Sequence, residues 1–277
     1  MNQNFENLAG SLSVIGSLIT HLEVTTSTMD VAWKLSKAGS PDGTVVIADH
    51  QSAGRGRYDR TWVSKQGQDI LCSVILRPRV SLAGELLMLA ALATADVAEA
   101  YGVDAGIKWP NDVQIAGKKL AGVIAESKTG SQPDNHDIWS ENNKPDISVD
   151  GITAVIGIGL NVNFDPSKES ILAPKSTSLS AELGREVDRT EVFKQLMQTL
   201  DTRYAYITAG GSVVPAWRDR LTTLGRKVTI RNGKSDDSKD LRGVAHDVDS
   251  IGRLIVRDEN GRDWPVSAGE VTVQDIR

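Results

Sequence analysis

The sequence predicts an α+β protein in which a large mixed domain precedes a small all-β domain. Apolar runs of strand length at about 70–77 and 152–162 alternate with longer apolar segments at about 81–101 and 190–208, which are typical of helices. From about Leu224 the pattern changes to short alternating strands separated by turn signals. A chain of 277 residues is long enough for both units.

The amino-terminal segment predicts a leader and then a helix. The first 33 residues contain no Lys or Arg, so residues 8–19 lack the basic lead-in of a signal peptide, and they are too short and polar to span a bilayer. We expect residues 1–19 to form a short leader that packs onto the domain. Ser27 as N-cap, with Asp30 three positions later, predicts a helix that ends at Gly39.

The centre of the chain predicts short strands joined by polar turns. An apolar run at 45–48 precedes a loop, and residues 107–115 indicate two strand-like pieces on either side of a Pro-Asn-Asp bend. Residues 117–126 then predict a turn that leads into another strand. Residues 128–150 are polar and poor in apolar side chains, so we expect a mobile hairpin excursion there.

Composition and missing motifs exclude several classes of protein. The formal net charge of -5 argues against a general nucleic-acid surface, because binding to a phosphate backbone needs clustered Lys and Arg. Cys72 is the one cysteine, and the apolar run around it favours a buried structural role in a cytoplasmic protein. The sequence lacks a Walker-type Gly-x-x-x-x-Gly-Lys-Ser/Thr loop, a Gly-x-Ser-x-Gly elbow and histidines at metal-ligand spacing.

The loop from Gln51 to Trp62, here called the arginine loop, is the most informative segment. It places Arg55, Arg57 and Arg60 beside two glycines in an otherwise acidic chain. Glycine lets backbone approach a ligand closely, and arginine makes bidentate contacts with carboxylate and phosphate. The loop therefore predicts an anion-binding site, with a solvated basic loop as the alternative.

Further segments carry polar groups suited to the same site. Asn111 and Asp112 could hold Mg²⁺ through oxygen ligands, although these residues alone favour a simple turn. Lys119 lies on a glycine-bounded turn and could reach a carboxylate or phosphate, with an ordinary surface lysine as the alternative. Ser27 and Thr28 could direct N–H groups and hydroxyls at a ligand, or simply cap the helix. Together the charged segments predict a site for two anions that repel one another.

An ordered set of motifs resembles the biotin protein ligases. The set is Gly54-Arg55-Gly56-Arg57 with Arg60 and Trp62, Lys108-Trp109-Pro110-Asn111-Asp112, Lys119-Leu120-Ala121-Gly122, Gly157-Ile158-Gly159-Leu160-Asn161 and Gly269-Glu270-Val271. The resemblance implies a mixed-sheet catalytic domain related to class II aminoacyl-tRNA synthetases, followed by an SH3-like β-barrel. The expected units are a leader (1–19), the catalytic domain (20–222) and the barrel (223–277), without the DNA-binding domain of bifunctional relatives.

The same resemblance implies a two-step reaction that consumes ATP. The biotin carboxylate attacks the α-phosphorus of ATP to give biotinyl-5′-AMP, and a specific lysine of a biotin carboxyl carrier domain, as in acetyl-CoA carboxylase, then attacks the mixed anhydride. By motif position, Arg57 and Lys119 are the catalytic candidates, and both would bridge the carboxylate and the α-phosphate. The remaining assignments are biotin binding by Ser27, Thr28, Gln51, Arg55, Gly56, Gly122, Gly157 and Gly159, nucleotide binding by Arg60, Trp62, Asn111 and Asn161, and Mg²⁺ binding by Asp112.

Two positions depart from the family pattern. Met29 stands where the family usually has asparagine, and Gln274 stands where some relatives have an arginine near the nucleotide, so no catalytic residue is assigned to the C-terminal domain. The arginine loop is expected to be disordered without ligand and to order over biotin or the adenylate. The expected partners are biotin, ATP and the carrier domain, with neither DNA nor membrane, and the expected state is a monomer or weak homodimer.

Two other interpretations stay open. A lipoate or octanoyl ligase would share the fold and also acylate a carrier lysine, but the Gly-Arg-Gly-Arg and Lys-Trp-Pro-Asn-Asp motifs favour biotin. A biotin-responsive regulator without enzymatic activity is the second, and the acidic net charge counts against it.

Overall fold

The larger of two sheets in this computed structural model is built from seven strands. Their bounds are Ile19–Thr25 (β1), Val45–Gln51 (β2), Ile70–Leu76 (β3), Gly106–Lys108 (β4), Asp112–Ile115 (β5), Lys118–Thr129 (β6) and Ile152–Leu160 (β7). They lie in the order β1-β2-β3-β7-β6-β5-β4, with β1 and β2 parallel and the other neighbours antiparallel. The structure describes residues 5–10, 12–57, 60–129, 151–165, 175–231 and 240–273. The main sheet is therefore mixed, as the sequence predicts.

Helices cover both faces of this sheet. Their bounds are Thr28–Lys37 (α1), Ala83–Ala100 (α2), Leu179–Leu183 (α3), Arg189–Thr208 (α4) and Val214–Asp219 (α5), with short 3₁₀ turns at Phe5–Leu8 and Val80–Leu82. Alternate side chains of β3 point to opposite faces, so Cys72 joins the large core with α2 and α4, whereas Ile75 packs against α1. The two faces thus have different partners, and the α1 side carries the smaller core.

The long apolar helix has the length and composition of a membrane span but the position of a core helix. The segment Val80–Ala100 is apolar enough to cross a bilayer by those two criteria alone. In the fold, α2 contacts α4, β6 and β7, and most of its side chains from Leu86 to Ala98 are buried. An apolar helix enclosed on most sides by protein is expected in the core of a large domain.

The second sheet is antiparallel and has five strands. They are Lys227–Arg231 (β8), Leu241–Val248 (β9), Leu254–Arg257 (β10), Asp263–Val266 (β11) and Glu270–Val273 (β12), in the order β11-β10-β9-β8-β12. The predicted turn at Asn260-Gly261 connects β10 to β11, and Gly261 adopts a positive φ of 79°. The change of pattern after Leu224 is therefore confirmed as a change from a mixed sheet to an antiparallel one.

The two sheets share one buried core. The Trp109 indole N–H donates to the carbonyl of Gly252 at 3.0 Å, and the Trp109 backbone N–H donates to Thr223 Oγ1 at 2.9 Å. Gly252 lies so close to α2 that a Cβ there would sit 2.6 Å from the sulfur of Met88. These contacts fix the second sheet against the end of the first, next to the Lys-Trp-Pro-Asn-Asp turn.

The described residues of the predicted leader contact the main domain. Phe5 is fully buried and makes an edge-to-face contact with Phe193 of α4, with ring centroids 5.1 Å apart. The carboxylate of Asp201, also on α4, accepts hydrogen bonds from the three successive backbone N–H groups of residues 13–15, at 2.8 to 2.9 Å. One buried carboxylate thus satisfies three donors that have no strand partner.

The start of the first helix differs from its prediction. Ser27 does occupy the N-cap position, but its side chain accepts no capping hydrogen bond, and Asp30 pairs with Arg55 instead of returning to the cap. The buried face is formed by Thr28, Met29 and Ala32, while Ala38 is exposed. The polar groups at this end are committed to other elements, which is why the capping-box interpretation is wrong.

Several short elements were not predicted. They are β1, β9, α3 and α5, whose apolar content is interrupted by polar residues or which span only a few residues. The first two residues of the predicted excursion at 128–150 belong to β6, which continues to Thr129. Residues 130–150, like Gln274, lie outside the described residues.

Candidate functional site

A cavity of about 300 Å³ opens on the α1 side of the main sheet, beside the second sheet. Residues from eight separate stretches of the chain line it. All of the residues assigned to a site from the sequence are among them: Ser27, Thr28, Gln51, Arg55, Gly56, Arg57, Arg60, Trp62, Asn111, Asp112, Lys119, Gly122, Gly157, Gly159 and Asn161. The fold therefore gathers the predicted residues at one place.

Strand register explains why distant motifs meet. Lys108 of β4 pairs with Asp112 of β5, Asp112 pairs with Gly122 of β6, and Gly122 pairs with Gly159 of β7. Residues paired directly across antiparallel strands share one face of a sheet. The row thus runs across four strands and sets two charged groups beside two glycines.

The glycines allow close approach of other groups to the sheet. A Cβ on Gly159 would lie 2.6 Å from Cε2 of Trp62, and one on Gly157 would lie 2.8 Å from the sulfur of Met29. A Cβ on Gly122 would lie 3.0 Å from both Nζ of Lys119 and Cζ3 of Trp62. The Trp62 indole thus partly covers Gly122 and Gly159, two of the three glycines assigned to biotin binding.

Arg57 is the arginine whose guanidinium is directed at the row of site residues. It donates to Oδ1 of Asn111 at 2.9 Å and to the carbonyl of Gly269 at 3.4 Å. Asn111 is itself buried, and its amide nitrogen donates to the carbonyl of Val123 at 2.6 Å. The amide orientation is therefore fixed from behind, which holds the guanidinium in place.

Lys119 lies next to this arginine position. Its Nζ is 2.7 Å from Oδ1 of Asp112 and 5.5 Å from the ring centre of Trp62, a distance at which a cation is attracted to an indole face. Because Asn111 and Asp112 are consecutive, the two cations are held by neighbouring residues. A ligand with two anionic groups could exchange these protein acceptors for its own.

The other two arginines of the loop are directed elsewhere. Arg55 pairs with Asp30 at 2.9 Å and approaches Glu126 at 3.7 Å, outside the row. Arg60 pairs with Glu270 of the second sheet. The Arg60 hydrogen bond lowers the pKa of Glu270 against the opposing effect of burial, and the positive charges of Arg60, Lys108 and Arg231 lower it further. These pairs tie the arginine loop to α1 on one side and to β12 on the other.

The start of α1 supplies a chain of linked polar groups. The backbone N–H of Thr28 donates to Oε1 of Gln51 at 2.7 Å, and its Oγ1 lies 2.8 Å from the hydroxyl of Ser73. Ser27, Thr28 and Ser73 are all buried. The arrangement places two hydroxyls and one amide at the cavity wall, where they can turn toward a polar ligand.

Asn161 is tied to the neighbouring backbone. Its amide nitrogen donates to the carbonyl of Thr177 at 2.8 Å, and its backbone N–H donates to the carbonyl of Leu120 at 3.0 Å. The side chain is buried and lines the cavity. These bonds hold the segment after residue 175 against β6, so part of the hydrogen-bonding capacity of Asn161 serves the fold.

Sequence reasoning missed several residues of the site. Lys108 was noted without a role. Burial lowers its pKa, and the positive charges of Lys119 and Arg60 lower it further, while the negative charges of Asp112 and Glu270 act to raise it. Ser73 and Glu270 were also given no role. The position of Glu270 in the Gly269-Glu270-Val271 motif was a usable signal, whereas Ser73, inside an apolar strand, gave none.

The described residues contain no group of three or more His, Cys, Asp or Glu side chains that could hold a metal ion by themselves. Asp112 provides one carboxylate, and Lys119 currently neutralises it. Mg²⁺ in proteins often takes one or two carboxylates and completes its coordination with water and substrate phosphates. Asp112 therefore fits an ion that arrives with a nucleotide better than a permanently bound one.

Comparisons with known proteins agree with the motifs. A protein-family model described as "Biotin/lipoate A/B protein ligase family" matches residues 21–139. The bifunctional ligase/repressor BirA of Bacillus subtilis is 33% identical over 256 residues, which cover 90% of this chain and 72% of that protein. The biotin--[acetyl-CoA-carboxylase] ligase of Mycobacterium tuberculosis is 34% identical, with coverage of 87% of this chain and 83% of that one. The corresponding ligase of Paracoccus denitrificans is 32% identical and is covered over 93% of its length, with 86% of this chain.

Solved structures give the same result for the fold. The biotin protein ligase from Aquifex aeolicus, solved in complex with biotin and ATP, has a TM-score of 0.70 to this chain at 22% identity. The match covers 92% of this chain and 98% of that one. At this level of identity the likeness concerns the fold alone.

Proposed function

The chain belongs to the biotin protein ligase family, and from this premise we infer that it activates biotin with ATP and transfers the biotinyl group to a carrier domain of a carboxylase. The main structural support is that Arg57 and Lys119 lie at one cavity, where they bind the adjacent acceptors Asn111 and Asp112. Two convergent cations are what a reaction between a carboxylate and a phosphate ester requires.

The first step joins two anions, so positioning and charge neutralisation are its main needs. Arg57 and Lys119 would leave Asn111 and Asp112 to bridge the biotin carboxylate and the α-phosphate of ATP. A carboxylate oxygen then forms a bond to the α-phosphorus while the bond to pyrophosphate breaks. In the second step the neutral amine of the carrier lysine attacks the carbonyl of biotinyl-5′-AMP, and AMP leaves with the electron pair of the anhydride bond.

The remaining site residues would bind the two substrates. Ser27, Thr28 and Gln51 would hydrogen-bond biotin, because their linked donors and acceptors face the cavity. The backbone at Arg55 and Gly56 would close over it. Three glycines would form a flat floor beneath biotin: Gly122, Gly157 and Gly159. Four residues would contact the nucleotide: Arg60, Trp62, Asn111 and Asn161.

Mg²⁺ is proposed to accompany ATP and to be held at Asp112, where it would offset the negative charge of the phosphates. Once Lys119 turns to the substrates, the Asp112 carboxylate is available to the ion. Lys108, paired across the strands with Asp112, would stay beside it as an additional positive charge.

We also propose the finer description of the architecture and setting. Residues 20–222 would form the catalytic domain, related to class II aminoacyl-tRNA synthetases, and residues 223–277 an SH3-like barrel. The mixed order of the main sheet and the five short antiparallel strands of the second support these assignments. A cytoplasmic monomer or weak homodimer remains the proposed state.

The decisive experiment is mass spectrometry of a biotin carboxyl carrier domain after incubation with the protein, ATP, Mg²⁺ and biotin. The expected result is one biotinyl group on one lysine, with release of pyrophosphate. Lipoate in place of biotin should give no modification, because a lipoate ligase is the related alternative. Modification by lipoate alone, or no modification with pyrophosphate still at background, would refute the proposal.

A further inference from the structure

Both ends of the arginine loop converge on a buried ion cluster below the site. Asp49 lies near the end of β2, just before the loop, and Asp69 immediately precedes β3, after the segment 63–68 that follows the loop. Between them, the backbone N–H of Gly67 donates to the carbonyl of Asp49 at 2.9 Å. We call Asp49, Gly67 and Asp69 the loop neck, because the chain enters and leaves the loop through these three residues.

Arg189, the first residue of α4, reaches into this neck. Its Nη2 donates to Oδ1 of Asp49 at 2.6 Å and lies 3.5 Å from the carbonyl of Ala48. A Cβ on Gly67 would stand 3.8 Å from Nη1 of the same guanidinium. Arg189 therefore contacts the chain as it enters the loop and faces it as it returns.

Arg189 and Asp69 form the buried part of the cluster, while Asp49 and His21 are about one-fifth exposed. Arg189 is 2% exposed and Asp69 is 0% exposed. The ring of Phe5 lies 4.9 Å from the guanidinium carbon, and Nε2 of His21 lies 3.0 Å from Oδ1 of Asp49. A charge held this far from water is costly unless it is paired, so the neck has a strong preference for one arrangement.

Asp69 connects the cluster to the strand that forms the cavity floor. Its Oδ1 accepts from the backbone N–H of Val162 at 2.9 Å, just after β7. Burial raises the pKa of Asp69, while hydrogen bonds from the backbone of Val162 and Phe164 and the charge of Arg189 lower it. The neck is thus fixed to β7 as well as to α4.

We propose that Arg189 is a positioning residue for the ligase reaction: by holding the loop neck, it sets where Arg57 is presented and how long the adenylate is retained. This rests on the proposed function. Arg189 does not line the cavity as described, so it would act through the loop and not on the substrates. A small displacement of the loop base would move Arg57, and misplacement of a catalytic group by about 1 Å can cost about a hundredfold in rate.

The test replaces Arg189 by Met, which keeps a long side chain but removes the charge, and by Lys, which keeps the charge. The measured quantity is the ratio of biotinyl-5′-AMP released into solution to carrier lysine modified, with labelled ATP and the full chain. Arg189→Met should raise this ratio about tenfold or more, and Arg189→Lys should restore part of the difference. The Km for ATP should rise as well, because Arg60 and Trp62, which are proposed nucleotide contacts, lie in the displaced loop.

Arg203→Met is the matched control. Arg203 lies on the same helix and pairs with Asp96 of α2 at 2.7 Å, so its replacement also removes a partly buried ion pair, but one far along the chain from the loop neck. It should lower the melting temperature while leaving the release ratio at the wild-type value. A wild-type ratio for Arg189→Met, or an equal rise in both variants, would overturn the proposal.

Two further measurements keep the test interpretable. If Arg189→Met does not fold, Asp49→Asn removes the partner charge with a smaller change of shape and should raise the ratio in the same direction. A wild-type protein that modifies no carrier lysine would instead refute the proposed function itself, so the two failures can be told apart.

Discussion

At the residue scale, the site depends on two cations that are held by neighbouring acceptors. Arg57 is bound to Asn111, the last residue of the turn between β4 and β5, and Lys119 is bound to Asp112, the first residue of β5. The sequence showed the two cations and their order along the chain, but it did not show that each is bound to a protein acceptor before any substrate is present. Under the proposed function, substrate binding would be an exchange of acceptors, which avoids leaving either cation unpaired.

Arg57→Gly should release biotinyl-5′-AMP prematurely, because the guanidinium that clamps the two anions is lost while the cavity remains. Loss of one preorganised charge-stabilising group typically costs about a hundredfold in rate, and we expect a decrease of this order in adenylate formation. Pyrophosphate release and adenylate retention on a gel-filtration column measure the two effects.

Arg55→Ala is the control for that variant. Its side chain pairs with Asp30 at the protein surface, 43% exposed, and exposed pairs contribute little. We expect nearly normal retention. Equal retention by Arg57→Gly and the wild type would contradict the assigned role.

A pH dependence follows from Asp69. Burial raises its pKa from 3.8 to about 7 in the folded protein. Between these values the folded protein holds a proton that the unfolded chain has lost, so the free energy of unfolding falls as pH rises, by roughly 1.4 kcal/mol per pH unit. Asp69→Asn removes this slope, so its stability relative to wild type should increase from pH 5 to pH 7, as measured by denaturant unfolding. Asp104→Asn, at an exposed carboxyl, should give a profile parallel to wild type, and a parallel profile for Asp69→Asn would contradict the expectation.

At the scale of single elements, long apolar segments were predictable and short polar ones were not. The bounds of β3, β7, α2 and α4 agree with the sequence pattern to within a few residues. In β7, Gly157 and Gly159 were assigned to biotin binding only through the family resemblance, and the strand register then placed them beside Met29 and Trp62. Sequence spacing cannot show which face of a strand meets which loop.

Gly159→Ala should weaken biotin binding. The added methyl group would meet the Trp62 indole at 2.6 Å, and overpacking of this kind costs roughly 1–3 kcal/mol, which corresponds to an increase of about fivefold to about a hundredfold in the Km for biotin. Gly84→Ala is the control, since its Cβ would find no described heavy atom closer than 4.0 Å. Steady-state kinetics with varied biotin give the comparison, and an unchanged Km in Gly159→Ala would count against a glycine floor.

The ordering of the arginine loop stays a prediction. Within the described residues, the loop is closed by a bridge between Arg55 and Thr61 and by a hydrogen bond from the Trp62 N–H to the Gly54 carbonyl at 2.9 Å. Trypsin can cleave at its arginines only when they are accessible. We expect biotin with ATP to suppress cleavage between residues 54 and 62, and the same cleavage rate with and without ligands would reject loop gating.

At the scale of the whole molecule, the second sheet completes the site. Gly269 and Glu270 accept hydrogen bonds from Arg57 and Arg60, so the second sheet and the arginine loop meet at the cavity. From the sequence, the C-terminal unit was predicted as a separate domain without a catalytic residue. Its contacts with the loop could not be predicted, because they join residues more than two hundred positions apart.

Glu270→Gln should loosen this contact between the sheets. The Arg60–Glu270 pair is 64% and 44% exposed, so its loss should raise the release of adenylate only about fivefold at most, and less at high salt. Glu259→Gln, in the turn between β10 and β11, should behave as wild type. Equal release rates for both variants across salt concentrations would show that the pair has no part in retention.

Strand β7 joins the main sheet together, since it lies between β3 and β6 although it is the last of the seven strands in the chain. During synthesis, the first four-fifths of the sheet's residues leave the ribosome as two unconnected groups of strands with open edges. Non-local pairing of this kind slows folding. Until residues 152–160 emerge, the nascent chain exposes two sets of strand edges that can pair with other chains. The strand that carries Gly157 and Gly159 is therefore also the one whose synthesis covers these edges and lowers the risk of aggregation.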